Sequence, residues 1–467
     1  MVWSTRFLAV LWTVALCAES IPDSIAEARR LLRKDQVAAA AERIRNTIAL
    51  EPRPATVHEL LGEIHFRQGD IPAAQQDFEK ASALDANLAR AWWGLGRVSD
   101  CNSLHHTAED YYRKAYDLAP DDPDITLSHA HFLKGRERIA ALKRYLKLAA
   151  NYAEPERLED VRRDIAILEQ IGDRELNRLT SAYGRTAIPL GILPRDGGTV
   201  RGFGLMVSIN GGRPLNLLLD TGASGILLRS KAARRVGATE LAETSVRGIG
   251  DEGGRSHGAI AREVRIGGAV FADYLLDVAD RKALYGEDGI IGTDVFAEFL
   301  ETLDFRKQQL LLDPLPGGRP VRERAYDRAA LPALKDFTPV FRVDHLLLVE
   351  TTIARTRPAL FILDTGASST MISTQAASQA TKVHLDSGTG LRGVSGNVQK
   401  VWRADDFVLQ FAGFHQRNRN TIALDLKQLS KDAGIELSGL LGLPLLRSFI
   451  LSLDYRDGLV KFQYAVP

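Results

Sequence analysis

Two aspartates stand in nearly identical surroundings in the C-terminal half of the chain. The segment Leu217-Leu-Leu-Asp220-Thr-Gly-Ala-Ser224 recurs 144 residues later as Phe361-Ile-Leu-Asp364-Thr-Gly-Ala-Ser368. Carboxyl groups can give or take a proton, so one aspartate from each copy could supply a general acid and a general base. The apolar run before each aspartate predicts a β-strand that leads into it.

Further landmarks follow each copy in the same order and at nearly the same spacing. They are Arg247-Gly-Ile-Gly250 and Arg392-Gly-Val-Ser-Gly396, then Gly289-Ile-Ile-Gly292 and Gly439-Leu-Leu-Gly442, then Leu303-Asp-Phe-Arg306 and Leu453-Asp-Tyr-Arg456. The region after Tyr183 also consists of short β-type runs separated by glycines. We therefore expect two homologous all-β lobes, each with one of the aspartates.

This duplicated pattern resembles aspartic peptidases, and more narrowly the retropepsin-like lobes of retroviral and bacterial proteases, over residues 186–467. The resemblance implies that each aspartate lies in a tight loop and that the apolar-apolar-Gly segment crosses that loop. Gly222 and Gly366 would then permit a sharp turn, and Gly292 and Gly442 a close approach of the crossing segment. Thr293-Asp294 and Leu443-Pro444 depart from the polar or basic residues that many retroviral lobes carry there.

The chemistry that the resemblance implies is hydrolysis by a water held between Asp220 and Asp364. Two carboxylates within a few Å cannot both ionise, so the pair would hold one shared proton. One carboxyl group would activate the water and the other would donate to the scissile carbonyl. Because the titration belongs to the pair, the residues alone do not assign the acid and the base. No metal ion or cofactor is needed for this reaction.

The resemblance also assigns supporting roles around the two aspartates. Thr221 and Thr365 would brace the paired loops by hydrogen bonds, while Ser224 and Ser368 would orient the carboxylates. Glycine-rich hairpins would fold over an extended polypeptide substrate. The glycines expected at their tips are Gly248, Gly250, Gly253 and Gly254 in the first lobe and Gly393 and Gly396 in the second. Ordinary glycine-rich turns are the alternative interpretation of these segments.

A second, shorter repeat occupies the N-terminal half. Leu61, Gly62, Ala74, Phe78 and Ala81 are matched 34 residues later by Leu95, Gly96, Ala108, Tyr112 and Ala115. The pattern resembles a tetratricopeptide array, in which small residues let helices approach and aromatic rings fill the gaps between hairpins. The resemblance implies a surface for a protein partner or substrate, and a simple spacer is the alternative.

Composition excludes several other classes of protein. The 467 residues include 60 Lys and Arg against 59 Asp and Glu, so the overall charge gives no reason to expect nucleic acid as a partner. Cys17 and Cys101, the two cysteines, cannot build a disulfide framework. Arg6 and the apolar run from Phe7 to Ala18 indicate a signal peptide, which predicts a periplasmic or extracellular protein without a membrane segment in its mature form.

The predicted architecture is a multidomain chain, an all-α tetratricopeptide solenoid followed by an all-β pepsin-like or retropepsin-like double lobe. The predicted regions are 1–18 (signal peptide), 24–183 (helical repeats), 186–313 (lobe 1), 314–337 (linker) and 338–467 (lobe 2). The change of composition near Tyr183 predicts that the helical and β regions share no core. His105, His106, His129 and His131 lack the spacing of metal ligands and are interpreted as structural.

These features favour an aspartic endopeptidase whose helical repeats recruit substrate or partner. The alternative is a catalytically silent scaffold that kept the peptidase fold for protein interaction. Two intact Asp-Thr-Gly triplets favour catalysis, because a scaffold gains no stability from two carboxylates that repel each other. Pairing of like lobes between two chains is a third possibility.

Overall fold

A computed structural model describes most of the chain. The described residues are 21–45, 54–151, 153–194, 200–245, 255–280, 287–318, 327–328, 331–354, 358–386, 388, 390–393 and 396–465. The predicted signal peptide lies outside these ranges. Within them, no helix has both the length and the apolar character needed to cross a membrane.

The N-terminal region is helical and its helices pack in consecutive pairs. The helices are α1 (Ile21–Arg33), α2 (Val37–Arg43), α3 (Ala55–Arg67), α4 (Ile71–Leu84), α5 (Ala89–Cys101), α6 (His105–Leu118), α7 (Pro123–Ala130), α8 (Gly135–Leu148) and α9 (Pro155–Ile171). Pairs form between α3 and α4, α5 and α6, and α7 and α8. A Cβ atom at Gly62 would lie 2.7 Å from the Phe78 ring, and one at Gly96 would lie 2.8 Å from Tyr112. Glycine therefore stands where an aromatic ring closes the gap between helices, which confirms the predicted repeat.

The helical region ends earlier than the sequence predicts. Helix α9 stops at Ile171, and β1 (Arg178–Leu179) already pairs with Phe271 and Ala272 of lobe 1. The hydroxyl group of Tyr183, at the predicted boundary, donates to the Glu298 carbonyl oxygen at 2.8 Å. Residues 178–183 thus belong to the β region, because their hydrogen bonds are made there.

Each lobe is built on one large sheet. The other strands of lobe 1 are β3 (Gly191–Pro194), β4 (Val200–Ile209), β5 (Leu215–Asp220), β6 (Ile226–Leu228), β7 (Thr239–Ser245), β8 (Arg255–Ile266), β9 (Ala269–Val278) and β10 (Gly289–Gly292). Their order is β1-β9-β6-β10-β5-β4-β8-β7, with β3 on β4. Helix α10 (Ser230–Arg235) follows β6, and a 3₁₀ turn, Thr293–Phe296, follows β10.

Lobe 2 repeats this arrangement. Its strands are β14 (Phe341–Val343), β15 (Leu346–Ile353), β16 (Pro358–Asp364), β17 (Met371–Ser373), β18 (Val383–Asp386), β19 (Leu391–Gly393), β20 (Gly396–Val398), β21 (Val401–Ala404), β22 (Phe407–Phe411), β23 (Phe414–Asn418), β24 (Thr421–Leu424) and β25 (Gly439–Gly442). The sheet order is β18-β21-β24-β17-β25-β16-β15-β22-β23, with β14 on β15, while β19 and β20 form a separate hairpin. The helices are α11 (Thr374–Ala380), α12 (Lys427–Ala433) and α13 (Leu443–Leu446).

A third sheet joins the two lobes within one chain. Its strands are β2 (Thr186–Pro189), β11 (Phe299–Asp304), β12 (Gln309–Pro314), β13 (Thr338–Pro339), β26 (Phe449–Asp454) and β27 (Leu459–Tyr464). In the order β13-β27-β26-β11-β12-β2, lobe 1 strand β11 lies beside lobe 2 strand β26. Thr302 pairs with Ser452, and their hydroxyl groups lie 3.1 Å apart. This sheet holds the two lobes in a fixed relation.

The helical region and lobe 2 share a hydrophobic core, so the prediction of separate cores is wrong. Side chains of α3, α4 and α5 are buried together with side chains of β15 and β16 in one apolar cluster. Its helical members include Phe66, Ile71, Phe78, Leu95 and Val98, and its lobe 2 members include Leu346, Leu348, Leu360 and Ile362. The backbone N–H of Glu436 also donates to the Arg67 carbonyl oxygen at 2.8 Å. The change from helices to strands along the chain therefore does not separate two independent cores, because each region buries the apolar face of the other.

The segment predicted as a linker is attached to the helical region where it is described. Both the backbone N–H of Thr107 and its hydroxyl group donate to the carboxylate of Asp327, as does the backbone N–H of His106. Asp327 therefore satisfies free donors at the first turn of α6. The link between the lobes consequently contributes to the interface with the helices.

His105 and His129 of the helical repeats have structural partners, as the sequence interpretation expects. His105 Nε2 lies 3.3 Å from the Arg456 carbonyl oxygen, a donor contact from α6 to lobe 2. The ring of His129 stacks on Tyr116, with the centroids 3.9 Å apart. His105 thus adds another contact between the two regions.

Candidate active site

Both predicted aspartates end equivalent strands and meet at the junction of the lobes. Asp220 is the last residue of β5, and Asp364 is the last residue of β16. In each lobe the crossing strand runs parallel to the aspartate strand, which places Gly292 opposite Asp220 and Gly442 opposite Asp364. A Cβ atom at Gly442 would collide with the backbone of Ser369 and Thr370. The crossing segments therefore need glycine for close approach, as the sequence predicts.

The two threonines lock the aspartate loops to each other. The backbone N–H of Thr221 donates to Oγ1 of Thr365 at 3.0 Å, and the backbone N–H of Thr365 donates to Oγ1 of Thr221 at 3.0 Å. The Thr221 hydroxyl donates across the interface to the Leu363 carbonyl oxygen at 2.6 Å. Both threonines are buried. These reciprocal bonds fix the separation of the two loops and therefore of the carboxyl groups that they carry.

Gly222 and Gly366 are required because a side chain at either position would contact the opposite aspartate. The sharp turn that the sequence predicts does not require them. Neither glycine adopts a backbone conformation with φ in the left-handed region. Each one faces the aspartate of the opposite lobe instead. A Cβ atom at Gly222 would lie 3.0 Å from Cγ of Asp364, and one at Gly366 would collide with the Asp220 carboxyl group. Any side chain at these positions would push the two carboxyl groups apart.

Backbone donors and burial determine how the two carboxyl groups titrate. The N–H of Gly222 donates to Asp220 at 2.8 Å, and the N–H of Ala367 donates to Asp364 at 2.7 Å. Burial raises the pKa of Asp220, although the Gly222 N–H and a hydrogen bond from Asp364 oppose the rise. Burial, together with the charge of Asp220, raises the pKa of Asp364 well above its usual value. The pair therefore retains one proton at a pH where isolated aspartates have lost both.

The two serines of the repeated motif do not orient the aspartates as expected. The exposed Ser224 donates through its hydroxyl group to Asp294 Oδ2 at 3.0 Å. The backbone N–H of Gly225 donates to Asp294 Oδ1 at 2.9 Å. Ser368 makes no hydrogen bond with either carboxyl group in the part of the chain that the structure describes. The prediction is wrong for Ser224 because its hydroxyl group bonds to Asp294, in the 3₁₀ turn after the crossing strand of its own lobe.

Sequence reasoning thus missed the function of Asp294. This residue anchors the loop of lobe 1 from the 3₁₀ turn after β10, and Gly225 in that loop has a φ of 57°. Lobe 2 carries Pro444 at the equivalent position. The sequence shows that Asp294 departs from the retroviral pattern. It does not show why, because the partner of Asp294, Ser224, lies 70 residues away in the chain.

His345 is a second residue of the site that the sequence analysis did not identify. It lies between β14 and β15 of lobe 2, and its Nε2 atom lies 3.3 Å from the carbonyl oxygen of Gly222 in lobe 1. A carbonyl oxygen can only accept, so the imidazole donates. No sequence motif surrounds this histidine, and only the packing of the lobes brings it to the aspartate loop.

The proposed substrate-covering hairpins are described in part. In lobe 1, β7 and β8 form an antiparallel pair. Gly248, Gly250, Gly253 and Gly254 lie between these strands, outside the described residues. In lobe 2, Gly393 and Gly396 pair with each other at the ends of the β19–β20 hairpin. The strands expected on either side of each glycine-rich tip are present, whereas contact of the tips with substrate remains a prediction.

Comparison with known families matches these two regions of the chain. The aspartyl protease family model matches residues 205–295 and 349–445, which include both aspartate loops and both crossing strands. The tetratricopeptide repeat model matches residues 25–87 and 65–123. No curated protein matches the chain significantly.

Proposed function

Since the C-terminal region is of the aspartyl protease family and the N-terminal region contains tetratricopeptide repeats, we propose that the chain is an aspartic endopeptidase. Its substrate would be an extended polypeptide that lies between the lobes. The observation that carries this proposal is the pairing of Asp220 and Asp364, whose loops are joined by reciprocal threonine bonds. Nothing in the packing benefits from two carboxyl groups that face each other at this junction, because their repulsion and burial cost stability.

The proposed reaction uses the single proton that the pair retains. The ionised carboxylate takes a proton from a bound water, whose oxygen forms a bond with the scissile carbonyl carbon. The protonated carboxyl group gives its proton to the carbonyl oxygen, so a neutral tetrahedral diol forms. Collapse of the diol returns a proton to the pair, breaks the C–N bond and transfers a proton to the departing amine. The water adds its atoms to the two products, and the aspartates return to their initial state.

The helical repeats would present a protein partner or a protein substrate to the lobes. Part of their surface is already used, because α3, α4 and α5 pack against lobe 2. A partner would therefore bind the remaining helical surface. The contacts of Asp327 and His105 also hold the repeats in place, so a partner bound there would stay at a defined distance from the lobes.

Export remains part of the proposal. The apolar run that ends near Ala18 would direct the chain to the periplasm or outside the cell. N-terminal sequencing of exported protein from its own host tests this point. Loss of roughly the first 18 residues is expected, and an intact Met1 on exported protein would contradict it.

The experiment that tests the proposed activity is a cleavage assay with the full chain and an unfolded protein as substrate. We expect cleavage at mildly acidic pH and a decline as pH rises, because the fully ionised pair lacks the proton that polarises the carbonyl. A statine-type peptide, which mimics the tetrahedral diol, should inhibit. Chelators and serine-directed reagents should leave the rate unchanged. Absence of cleavage over the whole pH range would favour the silent scaffold, and dependence on added zinc would overturn the mechanism.

A further inference from the structure

The hairpin turn that carries His345 lies between the helical region and the active site. Helix α5 contacts β14, the first strand of this hairpin. Arg342 and Asp344 line a cavity of about 350 Å³ on the helical side of the hairpin, which Asp100 and His131 also line. Asp344 adopts a left-handed conformation with a φ of 51°. The turn directs the next residue, His345, to the opposite side, where it meets the aspartate loop of lobe 1.

His345 contributes a hydrogen bond that joins the lobes directly at the catalytic loop. Its acceptor, the carbonyl of Gly222, belongs to the residue whose N–H donates to Asp220. The imidazole therefore orients the same peptide segment that positions the carboxylate. The side chain is half-buried, so its contact is partly shielded from solvent.

The charge of His345 also acts on two carboxyl groups of lobe 1. Burial raises the pKa of both Asp220 and Asp294 in lobe 1, and the positive charge of His345 opposes the rise in each. Asp294 is itself held by Ser224 and Gly225 on the lobe 1 side. On its own hairpin the histidine is flanked by Asp344 and by Arg342, whose guanidinium donates to the Tyr455 carbonyl oxygen. The other catalytic carboxyl group, Asp364, belongs to lobe 2, the lobe that also carries His345.

We propose that His345 is a positioning residue of the peptidase, which holds the Gly222 carbonyl and places a positive charge on the lobe 1 side of the aspartate pair. The proposal rests on the proposed function. The hydrogen bond from His345 keeps the Gly222 segment in place, and with it the N–H that donates to Asp220.

The test separates the hydrogen bond from the charge by two substitutions. His345→Gln keeps an N–H donor but removes the charge, whereas His345→Lys keeps a charge on a flexible side chain. In the profile of kcat/KM against pH, the acidic limb reports the first ionisation of the pair. The positive charge of His345 opposes the rise in the pKa of Asp220, so the loss of that charge in His345→Gln should move the acidic limb to higher pH by about half a unit or more. His345→Lys should remain close to the wild type.

The matched control is His384→Gln, which removes another histidine of lobe 2 that is exposed and lies near Asp405. This variant should leave the acidic limb unchanged. An equal shift in the control, or no shift in His345→Gln with wild-type activity intact, would overturn the inference. A merely structural function for His345 would lower activity without moving the limb and would also overturn it.

A measurement independent of turnover distinguishes failure of the inference from failure of the proposed function. The carboxyl carbons of ¹³C-labelled aspartate can be followed by NMR against pH, with Asp220→Asn and Asp364→Asn used for assignment. The first ionisation of the pair should move to higher pH in His345→Gln. If the wild type cleaves nothing, the proposed activity fails and this titration still decides the inference. An unchanged titration in His345→Gln would overturn it.

Discussion

The two lobes share the strands that lead to the aspartates, but they differ in the residues on one face of these strands. In lobe 2 this face carries Leu346, Leu348 and Leu360, all buried against the helices. The equivalent residues of lobe 1 are Gly202, Gly204 and Asn216. They are identified by the common offset of 144 and by matching registers, since Gly204 pairs with Leu218 as Leu348 pairs with Ile362.

Lobe 1 covers the same face with its own residues. The side chain of Leu218 occupies the space where a Cβ atom of Gly202 would lie, and Leu193 of β3 belongs to the same small apolar cluster. Lobe 1 therefore covers this face with its own residues, whereas lobe 2 buries the equivalent face against the helical repeats. The comparison shows that the helical region is a structural partner of lobe 2 in addition to any recruiting function.

The lobes also differ in buried charge. Glu301 in β11 is fully buried, and neither of its carboxyl oxygens has a hydrogen-bond partner among the described residues. Leu451 of β26 occupies the equivalent position in lobe 2. Burial, and then the charges of Asp294 and Asp454, raise the pKa of Glu301 well above its usual value. Lobe 1 thus contains a buried acid that its duplicate does not need.

The largest expected effect comes from the glycine that faces the opposite aspartate. Gly366→Ala places a methyl group into the Asp220 carboxyl group, and Gly222→Ala places one 3.0 Å from Cγ of Asp364. Since displacement of a catalytic group by about 1 Å can cost about 100-fold in rate, we expect a loss of at least that size for Gly366→Ala and a smaller loss for Gly222→Ala. Steady-state kinetics on a peptide substrate measures the difference.

Gly184→Ala is the control, because a Cβ atom there would have no neighbour within 4 Å. Its activity should equal that of the wild type. Equal activity of all three variants would mean that the two carboxyl groups are not held at the separation that the structure shows.

The second effect tests the core that lobe 2 shares with the helices. Leu360→Ala removes a side chain with 2% exposure from this core, and it should lower the free energy of unfolding by about 2–5 kcal/mol. Asn216→Ala, at the equivalent position of lobe 1, should change it by less than about 1 kcal/mol. Chemical denaturation monitored by circular dichroism measures both values. A small effect of Leu360→Ala would restore the original prediction that the regions are separate.

The smallest effect concerns the buried acid of lobe 1. Glu301→Leu introduces the residue of lobe 2 and removes two carboxyl oxygens that lack partners, so it should raise the free energy of unfolding by about 1–3 kcal/mol near neutral pH. Burial raises the pKa of Glu301 in the folded state, so folding favours the protonated carboxyl group. The stability that this group contributes is fully present below its unfolded pKa of 4.5 and is lost as pH rises through the higher pKa of the folded state. The advantage of the variant should therefore increase with pH.

Glu350→Leu, which replaces an exposed glutamate of β15, should show little change at any pH. A Glu301→Leu variant that is less stable than the wild type at neutral pH would indicate that the carboxyl group has a stabilising partner.

The sequence predicted the features that repeat and missed those that do not. Asp220, Asp364 and the two threonines could be identified because the motif occurs twice with the same strand pattern before it. The contacts of His345 with Gly222 and of Ser224 with Asp294 join segments 123 and 70 residues apart, and no local pattern contains them. Hydrophobic periodicity could locate the apolar residues of β15 and β16, but it does not say which part of the chain covers them.

The central claim, that Asp220 and Asp364 of one chain form a single catalytic pair, is tested most directly by two conservative variants. Asp220→Asn and Asp364→Asn should each lower kcat/KM by about 1000-fold or more, because an amide cannot carry out the acid-base cycle. Circular dichroism should remain unchanged, and an equimolar mixture should stay inactive because the two loops are joined within one chain. Cleavage near half the wild-type rate in either variant, or recovery in the mixture, would contradict the claim.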